Sequence, residues 1–190
     1  MISVFLSYCQ KDSRYADEID FHFRNTNIII KRDIREISSW KSIREYMKTI
    51  RNMEYAILII TENYLKSFNC MYEVMELMKE KNYQNRIFPV LYTTDIYDTT
   101  GKILYIKYWE NEYCSLKRQI RQLKMENAIS VINKLKEIQS IQSSIDEFLS
   151  LVTDMNNPDV KNVNKEIEKH LKLQNILKKE TEKGLYSGII

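Results

Sequence analysis

The stretch that decides the fold is YAILIITENYLKSFNCMYEVMELM, residues 55–78. It begins with a short apolar run rich in β-branched side chains, which is typical of a strand covered on both faces. Thr61 can then cap a helix in which apolar residues recur at helical spacing. These residues are Tyr64, Phe68, Met71, Met75 and Met78. Glu73, Glu76 and Glu80 share one side of the helix, so they either form a solvated face or include a residue with a chemical role.

Three other apolar runs in the first half of the chain have the character of strands. They are ISVFLS (2–7), NIIIKRD (27–33) and IFPVLY (87–92). Helical patterns lie between them, the first at residues 13–24 with Ser13 as its N-cap and the second at residues 42–52. Strands that alternate with helices of this length predict a parallel sheet with helices on both faces.

A weaker fifth strand is predicted in ILYIKYW (103–109), with a helix following from about Tyr113. The sequence therefore predicts an α/β domain over residues 1–125, with a flavodoxin-like, five-stranded parallel sheet. Sheets of this kind bind ligands at the carboxyl ends of their strands. The phosphate-binding patterns GxGxxG and GxxxxGK(S/T) are absent from the sequence, which argues against an ordinary dehydrogenase or P-loop NTPase.

The composition narrows the possible functions. The chain has 190 residues, of which 44% are hydrophobic, so it can bury a core. Its 29 basic and 26 acidic residues are spread along the chain without a basic stripe, which argues against a nucleic-acid partner. No apolar run approaches about 18 residues, so no membrane span is expected. The start of the sequence also lacks the features of a signal peptide.

The cysteines and histidines indicate no metal site. Cys9, Cys70 and Cys114 lack the spacing of a zinc motif, and only two histidines accompany them. His22 lies inside a predicted helix and His170 in the tail, which leaves a Ser-His-Asp or Cys-His hydrolase poorly supported. An odd number of cysteines fits a reducing cytoplasm best. No metal is therefore expected.

Five segments, in order, resemble the Toll/interleukin-1 receptor (TIR) domain of the bacterial and plant type. VFLSYCQKD (4–12) is similar to the first strand and loop of that family, and IIIKRD (28–33) to its second strand. DIREISSWKSI (33–43) is similar to the loop called the BB loop. AILIITENYLKSFNCMYEVMEL (56–77) is similar to the third strand and the αC helix, and RIFPVLY (86–92) to the fourth strand.

This resemblance covers about residues 1–110 and implies an NAD+ nucleosidase that gives nicotinamide and ADP-ribose or a cyclic form of it. In NAD-cleaving members the catalytic residue is the glutamate that ends a Cys-x-x-Glu motif in the αC helix. That position is Glu73 here. Glu76 and Glu80 receive no such role, and we expect them on the solvated face of the helix. The resemblance thus implies NAD+ as a substrate and no cofactor.

Other residues near the expected site are candidates for contact with NAD+. Tyr8 and Trp40 are candidate aromatic walls, and Ser7 and Lys11 are candidates for contact with sugar or phosphate. Cys70 precedes the catalytic position by three residues. Simpler roles remain open: Tyr8 can belong to the core, Trp40 can anchor its loop or contact another TIR domain, and Cys70 can be a packing residue.

The resemblance to bacterial TIR proteins further implies defence against phage, by depletion of NAD+ or by a nucleotide signal that a downstream effector protein reads. The alternative is a non-catalytic adaptor that acts only through TIR–TIR association. The Cys-x-x-Glu motif favours the enzyme. Two departures from the family pattern weaken the case for an enzyme. Asn69 stands where catalytic relatives often carry tryptophan, and Ser38 stands where glycine is common in the BB loop. A receiver domain of the same topology is disfavoured, because no acidic cluster follows the first strand.

Residues 126–190 lie beyond the resemblance and form a predicted helical extension. A helix is predicted at about 127–152 from apolar residues at alternating spacings of three and four. These are Ala128, Val131, Leu135, Ile138, Ile145, Leu149 and Val152, with Gln142 as the polar member. TDMNNPD (153–159) then breaks the helix, and a second helix is predicted at about 159–183. Two such helices predict an antiparallel hairpin, which either packs on its own domain as extra core or joins subunits.

Overall fold

The computed structural model describes residues 2–32, 42, 50, 53–124 and 128–186, with side chains described as far as residue 174. The strands are β1 (Ile2–Ser7), β2 (Ile28–Lys31), β3 (Tyr55–Ile60) and β4 (Ile87–Leu91). The α-helices are α1 (Ser13–Phe23), α2 (Glu62–Leu65), α3 (Phe68–Met78), α4 (Thr99–Ile120), α5 (Ile129–Asp154) and α6 (Val163–Tyr186).

The four strands form one parallel sheet in the order β2-β1-β3-β4. β1 lies between two neighbours, with Val4 opposite Ile30 of β2 and Tyr55 of β3. Each strand coincides with one of the four apolar runs in the first half of the chain, so these four predictions are confirmed. The parallel arrangement brings the carboxyl ends of β1 and β3 to the same edge of the sheet.

Side chains of the strands alternate between two faces, and each face has its own core. The α3 face contains Phe5 and Leu58 together with buried residues of α3, α4 and α5. The opposite α1 face contains Val4, Leu6 and Ile57 together with buried residues of α1 and α6. Because both faces are covered, nearly every position of the central strands can be apolar, which explains the continuous runs in the sequence.

The prediction of a fifth strand at residues 103–109 is wrong, because these residues lie within α4. The Asp98 carboxylate accepts a hydrogen bond from the Thr100 N–H at 3.1 Å and so caps this helix. Tyr105 and Trp109 are both buried, and their separation of four residues is the spacing of one helical face. The sheet formed by the described residues therefore has four strands.

The two tail helices exist, but they do not form the predicted hairpin, because they pack on opposite faces of the sheet. α5 packs against α3 and α4 on the α3 face. α6 contributes Val163, Ile167 and Leu171 to the α1 face. The buried stripe of α5 also includes Ile141 and Phe148, so it is wider than a coiled-coil seam and typical of a helix on a globular core. The described tail therefore packs as extra core.

The segment between α5 and α6 passes the outer edge of β4. Residues 155–159 line one groove together with residues 87–89 of that strand. The Tyr92 N–H, next after β4, donates to the Ile60 carbonyl of β3. Because the N–H groups of a strand point alternately to its two sides, the N–H groups of odd-numbered residues in β4 point away from β3. Pro89 occupies such an outward position, where the lack of an N–H removes no hydrogen bond from the ladder.

Two predictions concern segments outside the described residues. They are the helix at 42–52, of which only residues 42 and 50 are described, and the loop that contains Trp40. Within the described ranges, no helix combines the length and the apolar composition needed to cross a bilayer.

Replacement of Leu171 by alanine tests the position of α6. Leu171 is fully buried on the α1 face, so we expect the free energy of unfolding to fall by about 2–5 kcal/mol. The matched control is Leu173→Ala in the same helix, because Leu173 is 55% exposed. That change should stay within about 0.5 kcal/mol. Urea unfolding of the full chain measures both, and equal effects would contradict this packing.

Candidate functional site

The loops after β1 and β3 are held together by one side chain. Asp12 accepts hydrogen bonds from Thr61 Oγ1 at 2.6 Å and from Asn63 Nδ2 at 3.1 Å. Thr61 Oγ1 also accepts the Tyr64 N–H at 3.0 Å, so it is an N-cap as predicted. The two loops therefore meet at the edge where an open parallel sheet presents its ligand site. The single helix predicted from Thr61 to Met78 is wrong, because α2 ends at Leu65 and α3 begins at Phe68.

Helix α3 begins at Phe68 with Ser67 as its N-cap. Ser67 Oγ accepts the Cys70 N–H at 3.4 Å. From this start, Cys70 and Glu73 are one turn apart and both are buried. The local sequence, a cap followed by a Cys-x-x-Glu motif, thus places the carboxylate next to the end of the sheet.

Glu73 belongs to a buried hydrogen-bonded chain with Ser7 and Tyr64. Ser7, the last residue of β1, donates from Oγ to Glu73 Oε2 at 2.5 Å, and its Oγ lies 2.8 Å from the Tyr64 hydroxyl. Because Ser7 gives its single hydroxyl proton to the carboxylate, Tyr64 must donate to Ser7. Burial, with the charges of Cys70 and Glu73, raises the pKa of Tyr64 well above its usual value, so it keeps that proton. The chain fixes Oε2 in place.

The thiols of Cys9 and Cys70 border the hydrogen-bonded group of Ser7, Tyr64 and Glu73. The side-chain hydrogen bond from Cys70 lowers the pKa of Cys9 to about 6, with help from the Lys11 backbone N–H and against the effect of burial. The pKa of Cys70 is raised well above its usual value by the hydrogen bond to Cys9, by burial and by the charge of Glu73. As far as the described residues go, no three His, Cys, Asp or Glu side chains form a cluster that could hold a metal ion.

Cys9 did not stand out in the sequence analysis, although a signal for it existed. Alternation along an extended chain puts every second residue on the same side. Ser7 was already a candidate, and Cys9 belongs to the core on the same face. Ser7 at the end of β1 and Cys9 two residues later therefore lie on the side of the helix that carries Glu73.

Tyr8 points to the opposite side of the sheet. It is buried on the α1 face, where the Arg32 guanidinium lies 4.6 Å from the centroid of its ring. Arg32 is itself buried and forms an ion pair with Asp17 at 2.5 Å. The structure therefore does not bring Tyr8 together with Glu73, and it adds Arg32, which the sequence analysis did not consider.

The remaining candidate contacts differ in position. Lys11 is exposed in the short 3-10 turn after β1. Trp40 lies outside the described residues. Among the described candidates, Ser7 is hydrogen-bonded to Glu73, and Cys70 lies one turn before Glu73 in α3.

The expectation that Glu76 lies on a solvated face is wrong. Glu76 is 2% exposed, and its carboxylate forms an ion pair with Lys79 of the same helix. Glu80 is half-buried. The physical reason is that α3 contacts α5 as well as the sheet, so more of its surface is buried than in an ordinary amphipathic helix.

Comparison with known proteins identifies the family of this chain. A family model described as TIR domain matches residues 4–124, which is more than half of the chain. No curated protein gives a significant match. The matched segment contains Ser7, Tyr64 and Glu73.

Ser7→Ala tests the hydrogen-bonded chain. It leaves the Glu73 carboxylate without this donor and the Tyr64 hydroxyl without this acceptor, so we expect the free energy of unfolding to fall by about 1–3 kcal/mol. Ser143→Ala is the control, because Ser143 is exposed and its hydroxyl donates to Gln139 O of its own helix. That change should stay within about 0.5 kcal/mol. Urea titrations measure both variants. If Ser7→Ala is as stable as its control, these hydrogen bonds contribute nothing measurable to the free energy of unfolding.

Proposed function

The chain belongs to the TIR domain family, and from this premise we propose that it is an NAD+ nucleosidase. The enzyme cleaves the bond between nicotinamide and ribose and gives nicotinamide with ADP-ribose or a cyclic form of it. One observation carries the proposal. The Glu73 carboxylate stands at the carboxyl edge of the sheet, buried and held by the Ser7 hydroxyl.

One carboxylate is enough for this reaction because of the charge of the leaving group. The ring nitrogen of nicotinamide is positively charged in NAD+, so it takes the electrons of the breaking bond and leaves as a neutral molecule. The ribose carbon becomes an oxocarbenium-like cation, which a nearby carboxylate stabilises electrostatically. Water then adds to that carbon, or a nucleophile of the same molecule does so when the product is cyclic.

Ser7 and Tyr64 prepare Glu73 for this role. The hydrogen bond from Ser7 stabilises the charged carboxylate and holds it in one orientation, so little reorganisation is needed when the cation forms. Glu73 is 4% exposed, so the ribose reaches it only after the atoms that cover it move. Once bound there, the cation and the carboxylate interact in a water-poor environment, where Coulomb attraction is stronger than in solvent.

Further contacts with the substrate are part of the proposal. Cys70 lines the site one turn before Glu73, and Lys11, exposed after β1, is placed to meet a phosphate. Trp40 supplies an aromatic wall for nicotinamide. Tyr8 no longer belongs to this set, since its ring packs with Arg32 on the other face.

We further propose that the enzyme acts in the cytoplasm in defence against phage, by depleting NAD+ or by making a nucleotide signal for an effector protein. TIR domains commonly self-associate, and association through this domain remains part of the proposal. Association through the tail helices has less support, because α5 and α6 use their apolar stripes within their own chain.

One observation also favours a second function, that of a non-catalytic adaptor that acts through TIR–TIR association. A glutamate that is 4% exposed and hydrogen-bonded to Ser7 also fits a purely structural role. Release of nicotinamide from NAD+ by purified protein distinguishes the two functions. The assay should span a range of protein concentrations, because association can be needed to complete the site.

Glu73→Gln tests the catalytic assignment. Glutamine keeps the shape of the side chain but removes the charge that stabilises the ribosyl cation, so turnover should fall at least about 100-fold. Glu76→Gln is the matched control, because it is the same substitution at a buried position of the same helix. It should keep activity near that of the wild type. Equal nicotinamide release by the Glu73 variant and the wild type would exclude this role.

Trp40→Ala tests the loop residue. Activity should fall, because the substitution removes either a stacking surface or a contact between TIR domains. Nicotinamide release measured against protein concentration separates these causes. A rate restored at high concentration assigns Trp40 to association, and a rate that stays low assigns it to the substrate site. An unchanged rate at every concentration would remove Trp40 from both roles.

A further inference from the structure

The break between α2 and α3 lies next to the hydrogen-bonded group of Ser7, Tyr64 and Glu73. α2 ends at Leu65 and α3 begins at Phe68, so Tyr64 is the last residue but one of α2. Tyr64 is fully buried, and its hydroxyl lies 2.8 Å from Ser7 Oγ, which donates to Glu73 Oε2 at 2.5 Å. A shift of the end of α2 would therefore move the hydroxyl that orients Ser7.

Helix α4 holds the end of α2 by two hydrogen bonds. Trp109 donates from its indole Nε1 to the Leu65 carbonyl at 2.9 Å. The neighbouring Tyr108 donates from its hydroxyl to the Lys66 carbonyl at 3.2 Å. The last carbonyls of a helix have no partner within the helix, so donors from outside have to satisfy them. Two consecutive side chains of α4 thus supply donors to two consecutive carbonyls at the end of α2.

The burial of Trp109 makes its hydrogen bond a constraint on α2. Trp109 is 2% exposed, and the indole N–H, which can only donate, is the one polar group of its side chain. A buried N–H without an acceptor is costly, so burial of this ring favours the arrangement in which it meets the Leu65 carbonyl. A phenylalanine at this position would fill the core without fixing the end of α2.

We propose that Trp109, with Tyr108 beside it, is a positioning residue for Glu73, an inference that rests on the proposed function. The indole fixes the last carbonyl of α2, so that the adjacent Tyr64 hydroxyl keeps its place beside Ser7. Ser7 in turn holds the carboxylate. Since a displacement of about 1 Å at a catalytic site can cost about 100-fold in rate, loss of this one support should cost about 10-fold.

The first test is Trp109→Phe in the full chain, which keeps a buried aromatic ring and removes the N–H donor. We expect kcat for nicotinamide release to fall about 10-fold. KM for NAD+ should stay within about twofold of the wild-type value, because the lost support acts on the carboxylate that stabilises the transition state. An unchanged kcat in the folded variant would overturn the proposal.

Tyr105→Phe is the matched control in the same helix. Tyr105 is 1% exposed, and its hydroxyl donates to Asp95 Oδ2 at 2.9 Å, so this variant also loses a buried hydrogen bond of α4, but one that does not reach α2. Its kcat should stay near that of the wild type. An equal fall in kcat for both variants would overturn the assignment to Trp109.

A second variant keeps the proposal testable if Trp109→Phe is unfolded by circular dichroism. Tyr108→Phe removes only the hydroxyl that meets the Lys66 carbonyl. Its kcat should fall at least about twofold, with KM unchanged. A kcat equal to that of the wild type would then overturn the proposal.

The second test asks whether Trp109 acts through Tyr64. Residues of one hydrogen-bonded network have non-additive effects, so Trp109→Phe should lower kcat by less than about 3-fold when Tyr64→Phe is already present. A full 10-fold fall in that background, as large as the one expected in the wild type, would overturn this route.

Urea unfolding of the same four proteins gives a readout that does not depend on activity. The shifts in the urea midpoint caused by Trp109→Phe and Tyr64→Phe should likewise be non-additive. If the wild type releases no nicotinamide at any protein concentration, the proposed function fails. The midpoints still decide the link in that case: non-additive shifts support the contact between Trp109 and the end of α2 as a support of Tyr64, and additive shifts overturn it.

Discussion

A parallel sheet has to be covered on both faces, and this requirement governs the whole structure. The four strands are short, yet the central ones are apolar on both sides, so each face needs its own helices. α3, α4 and α5 cover one face, while α1 and α6 cover the other. Each large aliphatic side chain buried in this way contributes about 1.5–3 kcal/mol. The tail is therefore required by the same physics that forms the sheet.

Burial of a charge sets a second constraint, which the site meets with neighbouring polar groups. An isolated carboxylate inside a protein is costly, so Glu73 needs donors. Ser7 supplies one from the end of β1, and Tyr64 supports Ser7 from α2. β1 and the consecutive helices α2 and α3 thus fix one carboxylate. The hydrogen bonds that make its burial tolerable also hold it in one orientation, which the proposed stabilisation of a cation requires.

The sequence was informative where the signal is local. Apolar runs predicted the four strands, and the resemblance to the TIR domain put Ser7 and Glu73 among the site residues, which the structure joins by a hydrogen bond. The sequence misled where composition and spacing disagree. Residues 103–109 are rich in aromatic and β-branched side chains, which favoured a strand. Tyr105 and Trp109 nevertheless have helical spacing, and Asp98 caps the helix that contains them. The sequence pattern could not predict the burial of Glu76 or the packing of the two tail helices on different faces of the sheet. A pattern shows that one side of a helix is apolar, not which partner covers it.

The tail is also connected to the site through α3. The Lys134 ammonium of α5 lies over the ring of Phe68, the first residue of α3. Beyond the other end of α3, the Tyr83 hydroxyl donates to Glu147 of α5 at 3.4 Å. α5 therefore contacts the segments at both ends of the helix that carries Glu73. Since the direction of that carboxylate follows the α3 backbone, residues beyond the TIR match position the site as well as complete the core.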